Sequence, residues 1–176
     1  LTSYDTDNLS ELIFFTDKCQ VYKAKVSDFD PSKASVLGDF VPAKLGFDAG
    51  ERCIAMHVKK SDTEDRGTFL LVFANGKGVQ IPADTYETKS NRRKLTGAYS
   101  DKSPLRSISR IDEDCELAVY STEPRCLIFH TALLAPKTTR STQGVAVMTL
   151  KKKDTVEKAV FVEDTPIANQ GRYRTR

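Results

Sequence analysis

The side chains able to do chemistry in this chain are few and poorly spaced for it. The only histidines are His57 and His130. His57 lies in an alternating apolar stretch and His130 follows Phe129 at the end of another, which are positions for packed or surface side chains rather than a positioned base. The four cysteines, Cys19, Cys53, Cys115 and Cys126, form no Cys-x-x-Cys pair. A zinc site needs close ligand pairs, so the expectation is no metal and four thiols acting as small apolar residues in a reducing cytoplasm. Asp112-Glu-Asp114 reads as a solvated turn. Asn75-Gly-Lys-Gly78 lacks the Gly-Lys-Ser/Thr ending and the following helix of a phosphate loop. No catalytic site is expected.

The remaining chemistry is that of Lys and Arg. The totals, 27 basic against 24 acidic residues and a net charge of +3, announce no partner. The distribution does. Residues 88–110 hold seven cations (Lys89, Arg92, Arg93, Lys94, Lys102, Arg106, Arg110) and one acid, Asp101. Residues 111–123 hold five acids and no base, and residues 137–153 hold five bases and no acid. Segregated charge of this kind suits a polyanion such as a nucleic acid.

The elements that must position these cations read as strands. Leu12-Ile-Phe-Phe-Thr16 turns at Asp17-Lys-Cys-Gln20 into Val21-Tyr-Lys-Ala-Lys-Val26. Phe69-Leu-Leu-Val-Phe-Ala74 turns at Asn75-Gly76 into Val79-Gln-Ile81, and Asn-Gly between apolar runs is a strong hairpin signal. Leu117-Ala-Val-Tyr120 turns through Ser121–Arg125 into Cys126-Leu-Ile-Phe129. The copies start at Leu12, Phe69 and Leu117, offset by 57 and 48 residues.

A polar loop, a glycine and another strand follow each hairpin, with Arg93–Gly97 matching Arg140–Gly144 and Ala34–Gly38 in the first copy. Then comes an acidic turn (Gly50-Glu51, Asp112-Glu-Asp114, Asp154) and a further strand. Four strands in about 50 residues make an all-β, propeller-like array of three to four blades that stack to bury their faces. The array is expected over 1–164 and a polar, irregular tail over 165–176. The one helical turn expected is seeded at Asp28-Phe-Asp-Pro-Ser32. The chain begins at Leu1 without a basic or apolar leader, so a piece of a longer protein without a secretory signal is expected. No apolar run approaches a membrane span.

Stacking would bring equivalent loops to one rim. The candidate cations there are Lys18, Lys33, Lys77, Lys89, Arg92, Arg93, Lys94, Arg106, Lys137 and Arg140. A curved line of cations matches a line of duplex phosphates, and such contacts position DNA without reading its sequence. The alternative is a propeller-like protein-interaction module without DNA affinity, which an exposed apolar face would favour.

The ordered features resemble a known family. Thr6-Asp-Asn-Leu-Ser-Glu-Leu-Ile-Phe-Phe-Thr16 with Val21-Tyr22 resembles a stretch of the C-terminal domain found in the A-type subunits of DNA gyrase and topoisomerase IV. Gly50-Glu-Arg-Cys-Ile-Ala55, Arg140-Ser-Thr-Gln-Gly-Val145 through Leu150 and Asp154, and Gly171-Arg-Tyr173 resemble later parts of the same domain. The resemblance implies a β-pinwheel whose blades exchange strands, and which binds and bends double-stranded DNA for a bacterial, cytoplasmic, nucleoid-associated type IIA topoisomerase. The implied partners are an upstream breakage-reunion domain and the ATPase subunit. ATP and Mg are implied for the whole enzyme and no cofactor for this stretch, where none of the six tyrosines has the flanking residues of a cleavage tyrosine. The glutamine-, arginine- and glycine-rich box of gyrase is not in residues 1–176, so gyrase and topoisomerase IV both remain open. Cys19 and Pro124-Arg125 stand where the family has a hairpin glycine, so another turn geometry is expected at both.

Overall fold

Apolar hairpins organise the computed structural model, which describes residues 3–60, 66–88 and 92–175. In chain order the strands are β1 (Glu11–Thr16), β2 (Gln20–Lys25), β3 (Cys53–Lys59), β4 (Thr68–Phe73), β5 (Lys77–Pro82), β6 (Lys94–Thr96), β7 (Leu105–Ile111), β8 (Glu116–Ser121), β9 (Cys126–His130), β10 (Val145–Ala146) and β11 (Val156–Phe161), with one α-helical turn, α1 (Val41–Leu45). They form three sheets, ordered β3-β1-β2-β6, β10-β5-β4-β7 and β11-β8-β9. The chain divides into two units, Leu1–Asp65 with Thr88–Tyr99 and Arg66–Glu87 with Ser100–Arg176.

In the first unit the long connection after β2 folds over one face of its sheet. Leu12, Phe14, Tyr22 and Ala24 pack with Phe29, Val41, Leu45, Phe47, Met56 and Val58. Phe47 lies 4.5 Å from the Tyr22 ring, centroid to centroid. In the second unit Leu70, Val72, Ile111, Leu117, Val119 and Phe129 form one core between two sheets. Each such side chain, fully buried, stabilises the fold by about 1.5–3 kcal/mol. The third sheet's other face, Ala118, Ile128 and Val162, is covered by Ile167 and Tyr173.

A polar group two residues ahead of β3, β7 and β11 ties each of these strands to the hairpin turn of its own sheet or to the residues around it. Glu51 is buried and accepts hydrogen bonds from the Thr16 hydroxyl, the Tyr22 hydroxyl at 2.8 Å and the Asp48 amide at 2.8 Å. Asp154 accepts from the Thr122 hydroxyl at 3.0 Å, the Glu123 amide at 3.1 Å and Arg125 Nη1 at 3.5 Å. In the second sheet Ser103 takes this place, its hydroxyl accepting from the Asn75 amide at 3.1 Å. The second acidic turn expected at Asp112–Asp114 is therefore out of phase: those residues link β7 to β8, and the equivalent turn lies at Asp101–Ser103.

Each hairpin also needs its other edge filled. β6 pairs antiparallel with β2, matching Val21 to Leu95 and Tyr22 to Lys94. β10 pairs antiparallel with β5, and the Lys137 amide extends the contact to the Gln80 carbonyl at 2.8 Å. Both fourth strands come from further along the chain, which is the strand exchange that a β-pinwheel implies. Gly144 makes the second exchange possible: it has φ 75°, and a Cβ there would lie 2.2 Å from the Gly78 carbonyl oxygen. Beside β9 the tail takes the fourth place in a different sense. Ile128 and Arg174 form a parallel bridge, with the Ile128 amide donating to the Tyr173 carbonyl at 2.7 Å.

Several local expectations change. Cys19 adopts the left-handed conformation directly, φ 56°, in the place that Gly76 (φ 80°) holds in the second hairpin. The Cys19 carbonyl accepts from the Ala98 amide at 2.8 Å and its amide donates to the Tyr99 hydroxyl at 3.3 Å, which holds the strained turn. The third hairpin does use another geometry, a wider turn in which the Ser121 hydroxyl donates to the Glu123 carbonyl at 2.6 Å. The α-helical turn is not at 28–32. It falls at Val41–Leu45, where Pro42 suits the first turn and Gly46 at φ 66° ends it; Val26–Asp28 is a single 3-10 turn. No exchanged strand follows Gly38 among the described residues.

Replacing Glu51 with Ala leaves the Thr16 and Tyr22 hydroxyls buried without their acceptor. The expected loss is about 1–3 kcal/mol in urea unfolding, and an unchanged midpoint would show that the carboxylate does not tie the strand. Asp154 gives a pH signature. Burial alone would raise its pKa, but the hydrogen bonds from Glu123, Thr122, Ser121 and the Arg125 charge outweigh burial and hold it below the ordinary value of 3.8. Its stabilising effect is complete above that ordinary value and is lost as pH falls through the lower folded one. Asp154→Asn should therefore flatten the acid limb of stability below about pH 4, as read by thermal melts across pH. An acid limb identical to that of the unsubstituted chain would rule this role out.

Candidate nucleic-acid interface

The cations lie at or ahead of the exchanged strands: Lys94 opens β6 with Arg92 and Arg93 just before it, and Lys137 and Arg140 precede β10. In the first unit Arg92, Arg93 and Lys94 run along the β2 edge, where the Lys23 amide donates to the Arg93 carbonyl at 2.7 Å. Lys94 is committed: its Nζ lies 3.0 Å from both Asp48 carboxylate oxygens and 5.3 Å from the centroid of the Tyr22 ring. The hydrogen bond to Asp48 holds the Lys94 ammonium above its usual pKa, with Tyr22 adding to the effect. Asp48 is held below its usual range first by the Gln20 amide and then by Lys94. Arg93 is 3.6 Å from Asp28 but its side chain remains 70% exposed, and Arg92 is exposed.

In the second unit Lys77 opens β5, Lys137 bonds to its edge at Gln80, and Arg140 lies against the turn that follows it. Arg140 is half-buried and donates from Nη1 to the Thr85 carbonyl at 3.1 Å. Lys77 reaches Gln143 Oε1 at 3.3 Å. Lys137 is exposed. Within this unit the β7 edge of the second sheet meets β11 of the third: the Ser107 hydroxyl donates to the Ala159 carbonyl at 3.0 Å and accepts from the Ala159 amide at 2.8 Å. The β10 side is therefore the edge turned away from that junction.

The other expected cations fall elsewhere. Arg106 lies on β7, the edge opposite β10 in the same sheet. Lys18 is at the first hairpin turn, its Nζ on the Ala49 carbonyl at 2.6 Å. Lys33 lies in the exposed segment after β2, and Lys89 lies outside the described residues. Sequence reasoning missed Arg172 and Arg174 in the tail. No strand period marks them: Gln170–Arg172 is a 3-10 turn, and only Arg174 bridges to β9.

His130 Nδ1 accepts from the Ala132 amide at 3.3 Å. Burial pushes up the pKa of the Cys115 and Cys126 thiols, which pack at the edges of apolar clusters. Asn75–Gly78 is a hairpin turn running into β5, not a cradle for ATP phosphates. Asp112 is engaged by Arg110 at 3.1 Å and Asp114 by the Thr131 hydroxyl at 2.7 Å, and no group of ligands for a metal such as Mg is assembled among the described residues. Among those residues no helix is long and apolar enough to cross a membrane.

Neither a protein-family model nor a curated protein matches the sequence. Solved structures do match the fold. The C-terminal domain of DNA topoisomerase IV has a TM-score of 0.76 at 23% identity, over 88% of this chain and 48% of that one. The DNA gyrase A C-terminal domain has a TM-score of 0.64 at 19% identity, over 94% and 56%. The E. coli ParC C-terminal domain has 0.71 at 13%, over 96% and 74%. The chain thus spans about half the length of the first two. With its repeated hairpins and exchanged strands, the chain has the β-pinwheel fold of the gyrase A and topoisomerase IV C-terminal domains.

Proposed function

We propose that the chain holds double-stranded DNA along the fourth-strand edges of its sheets, as an accessory domain of a bacterial, ATP-dependent type IIA topoisomerase. In this reading it bends the duplex and presents it to the strand-passage core. The cleavage and ATPase chemistry belongs to an upstream breakage-reunion domain and a partner subunit, and the setting is the cytoplasm and nucleoid. The observation that supports it most is that cations from successive repeats fall on the same edge of their respective sheets, Arg92–Lys94 beside β2 and Lys137–Arg140 beside β5. An ordinary solvated surface would scatter them.

The residues divide by what they already hold. Lys94 and Arg140 are engaged with Asp48 and Thr85 and position the edge. Arg92 and Lys137 are exposed, Arg93 stays 70% exposed beside Asp28, and these three are the phosphate contacts. Contacts of this kind carry no base information, so binding should be sequence-tolerant and favour deformable duplexes.

A protein-interaction module without DNA affinity draws on a different observation. Val36, Leu37 and Phe40 are 59%, 98% and 72% exposed. A salt series separates the two readings. Three contacted phosphates correspond to a log-log slope of roughly −2.7 for a long duplex, measured by anisotropy. Arg92→Ala with Arg93→Ala should reduce that slope by roughly 2 without moving the melting temperature. A flat salt dependence, or no binding at low salt, would discard the DNA reading.

A further inference from the structure

Among the described residues the third sheet has three named strands, β11-β8-β9, and its β9 edge is not open. The Ile128 amide donates to the Tyr173 carbonyl at 2.7 Å and the Ile128 carbonyl accepts from the Thr175 amide at 2.9 Å. We infer that the tail closes the β9 edge of the third sheet, through a 3-10 turn at Gln170–Arg172 followed by the backbone of Tyr173–Thr175, and that its Arg172 carries the phosphate-binding edge onto that sheet; the second half rests on the DNA reading above.

Docking is specified by more than backbone. Tyr173 and Ile167 pack on Ala118, Ile128 and Val162, giving the segment an apolar side. Arg174 makes two parallel hydrogen bonds to the Glu116 carboxylate, at 2.6 and 2.7 Å, and a third contact to Gln170 at 3.2 Å. A two-pronged guanidinium–carboxylate pair fixes orientation as well as distance. The Arg174 hydrogen bonds in turn hold the Glu116 carboxyl below its usual range.

The division of labour along this segment repeats that of the other two edges. Beside β2, Lys94 is anchored to Asp48 while Arg92 is exposed. Beside β5, Arg140 is anchored to the Thr85 carbonyl while Lys137 is exposed. Beside β9, Arg174 is anchored to Glu116 while Arg172 is exposed. Each edge thus has one cation bound into the protein and at least one presented to solvent. The parallel sense of the tail does not alter this, because Tyr173 is turned to the apolar cluster and its two neighbours are both exposed.

Two measurements on the full chain test the two halves. Hydrogen exchange at the Ile128 amide reads docking without DNA. Arg174→Glu should accelerate it at least tenfold while the Leu117 and Val119 amides keep their protection, and Glu116→Arg with Arg174→Glu should restore it. Tyr173→Ala provides a second route to undocking that leaves the charge pair in place. An Ile128 amide that exchanges in Arg174→Glu and in Tyr173→Ala as slowly as in the unsubstituted chain overturns the docking. The salt series on a long duplex then reads Arg172: Arg172→Ala should lower the slope by roughly 0.9 and leave Ile128 exchange unchanged. If the unsubstituted chain binds DNA with a salt slope and Arg172→Ala leaves that slope intact, the Arg172 half fails while the DNA reading stands. If the unsubstituted chain shows no salt-dependent binding, the DNA reading and the Arg172 half fail together, and exchange at Ile128 alone judges the docking.

Discussion

A two-stranded hairpin has an edge on each side, and an unfilled edge leaves backbone donors and acceptors to be satisfied by something else. This chain fills its edges by two different means. One side of each hairpin takes a strand from the same repeat, held by Glu51, Ser103 or Asp154. The other side takes a segment from further along: β6, β10 or the tail. That second requirement governs the architecture, because it makes each sheet depend on sequence outside its own hairpin. It is also why the first unit is discontinuous, with Thr88–Tyr99 returning to a sheet begun long before.

The same requirement explains where the charge can sit. An edge strand offers its outward backbone and side chains to solvent, so it can carry Lys and Arg without the desolvation that would penalise them in β1 or β4, whose residues are almost wholly buried. Cationic edges also discourage uncontrolled strand addition, because like charges repel a second copy of the same edge. A single choice of residue type on the segments that fill these edges thus serves solubility and supplies the cations of the proposed interface. The anchoring cations restrict this further. Lys94 on Asp48 and Arg174 on Glu116 convert part of the positive charge into fixed geometry.

Much of the architecture was legible because the hairpins follow local rules. Leu12–Thr16 and Phe69–Ala74 are continuous apolar runs, and Asn75-Gly76 states its own turn. The exchanged strands were harder to read. β6 is three residues long and β10 two, too short for a period, and their pairing partners lie 70 or so positions away in the sequence. The phase of the second acidic turn was misread for a related reason. Its counterpart of Glu51 and Asp154 is the uncharged Ser103, so no carboxylate marks the equivalent position, while Asp112–Asp114 forms an acidic cluster further along. Cys19 shows the limit of residue preference: hydrogen bonds from Ala98 and to Tyr99 hold a left-handed turn that its side chain disfavours.

For the candidate site, grouping was legible and geometry was not. Runs of charge marked Arg92–Lys94 and Lys137–Arg140, which do lie on equivalent edges. Arg106 belonged to the same run as Arg92 but follows a reversal of the chain, and so ends on the opposite edge of the second sheet from β10. A run of charge reports composition along the chain, whereas an interface depends on which edge each strand occupies. Arg172 and Arg174 illustrate the converse. In a polar tail they form no run, but the 3-10 turn that ends before Tyr173 leaves Arg172 exposed while Arg174 reaches Glu116. In a fold built by strand exchange, the pairing partner of a cation's strand is therefore a better guide to its role than the charge of its neighbours in sequence.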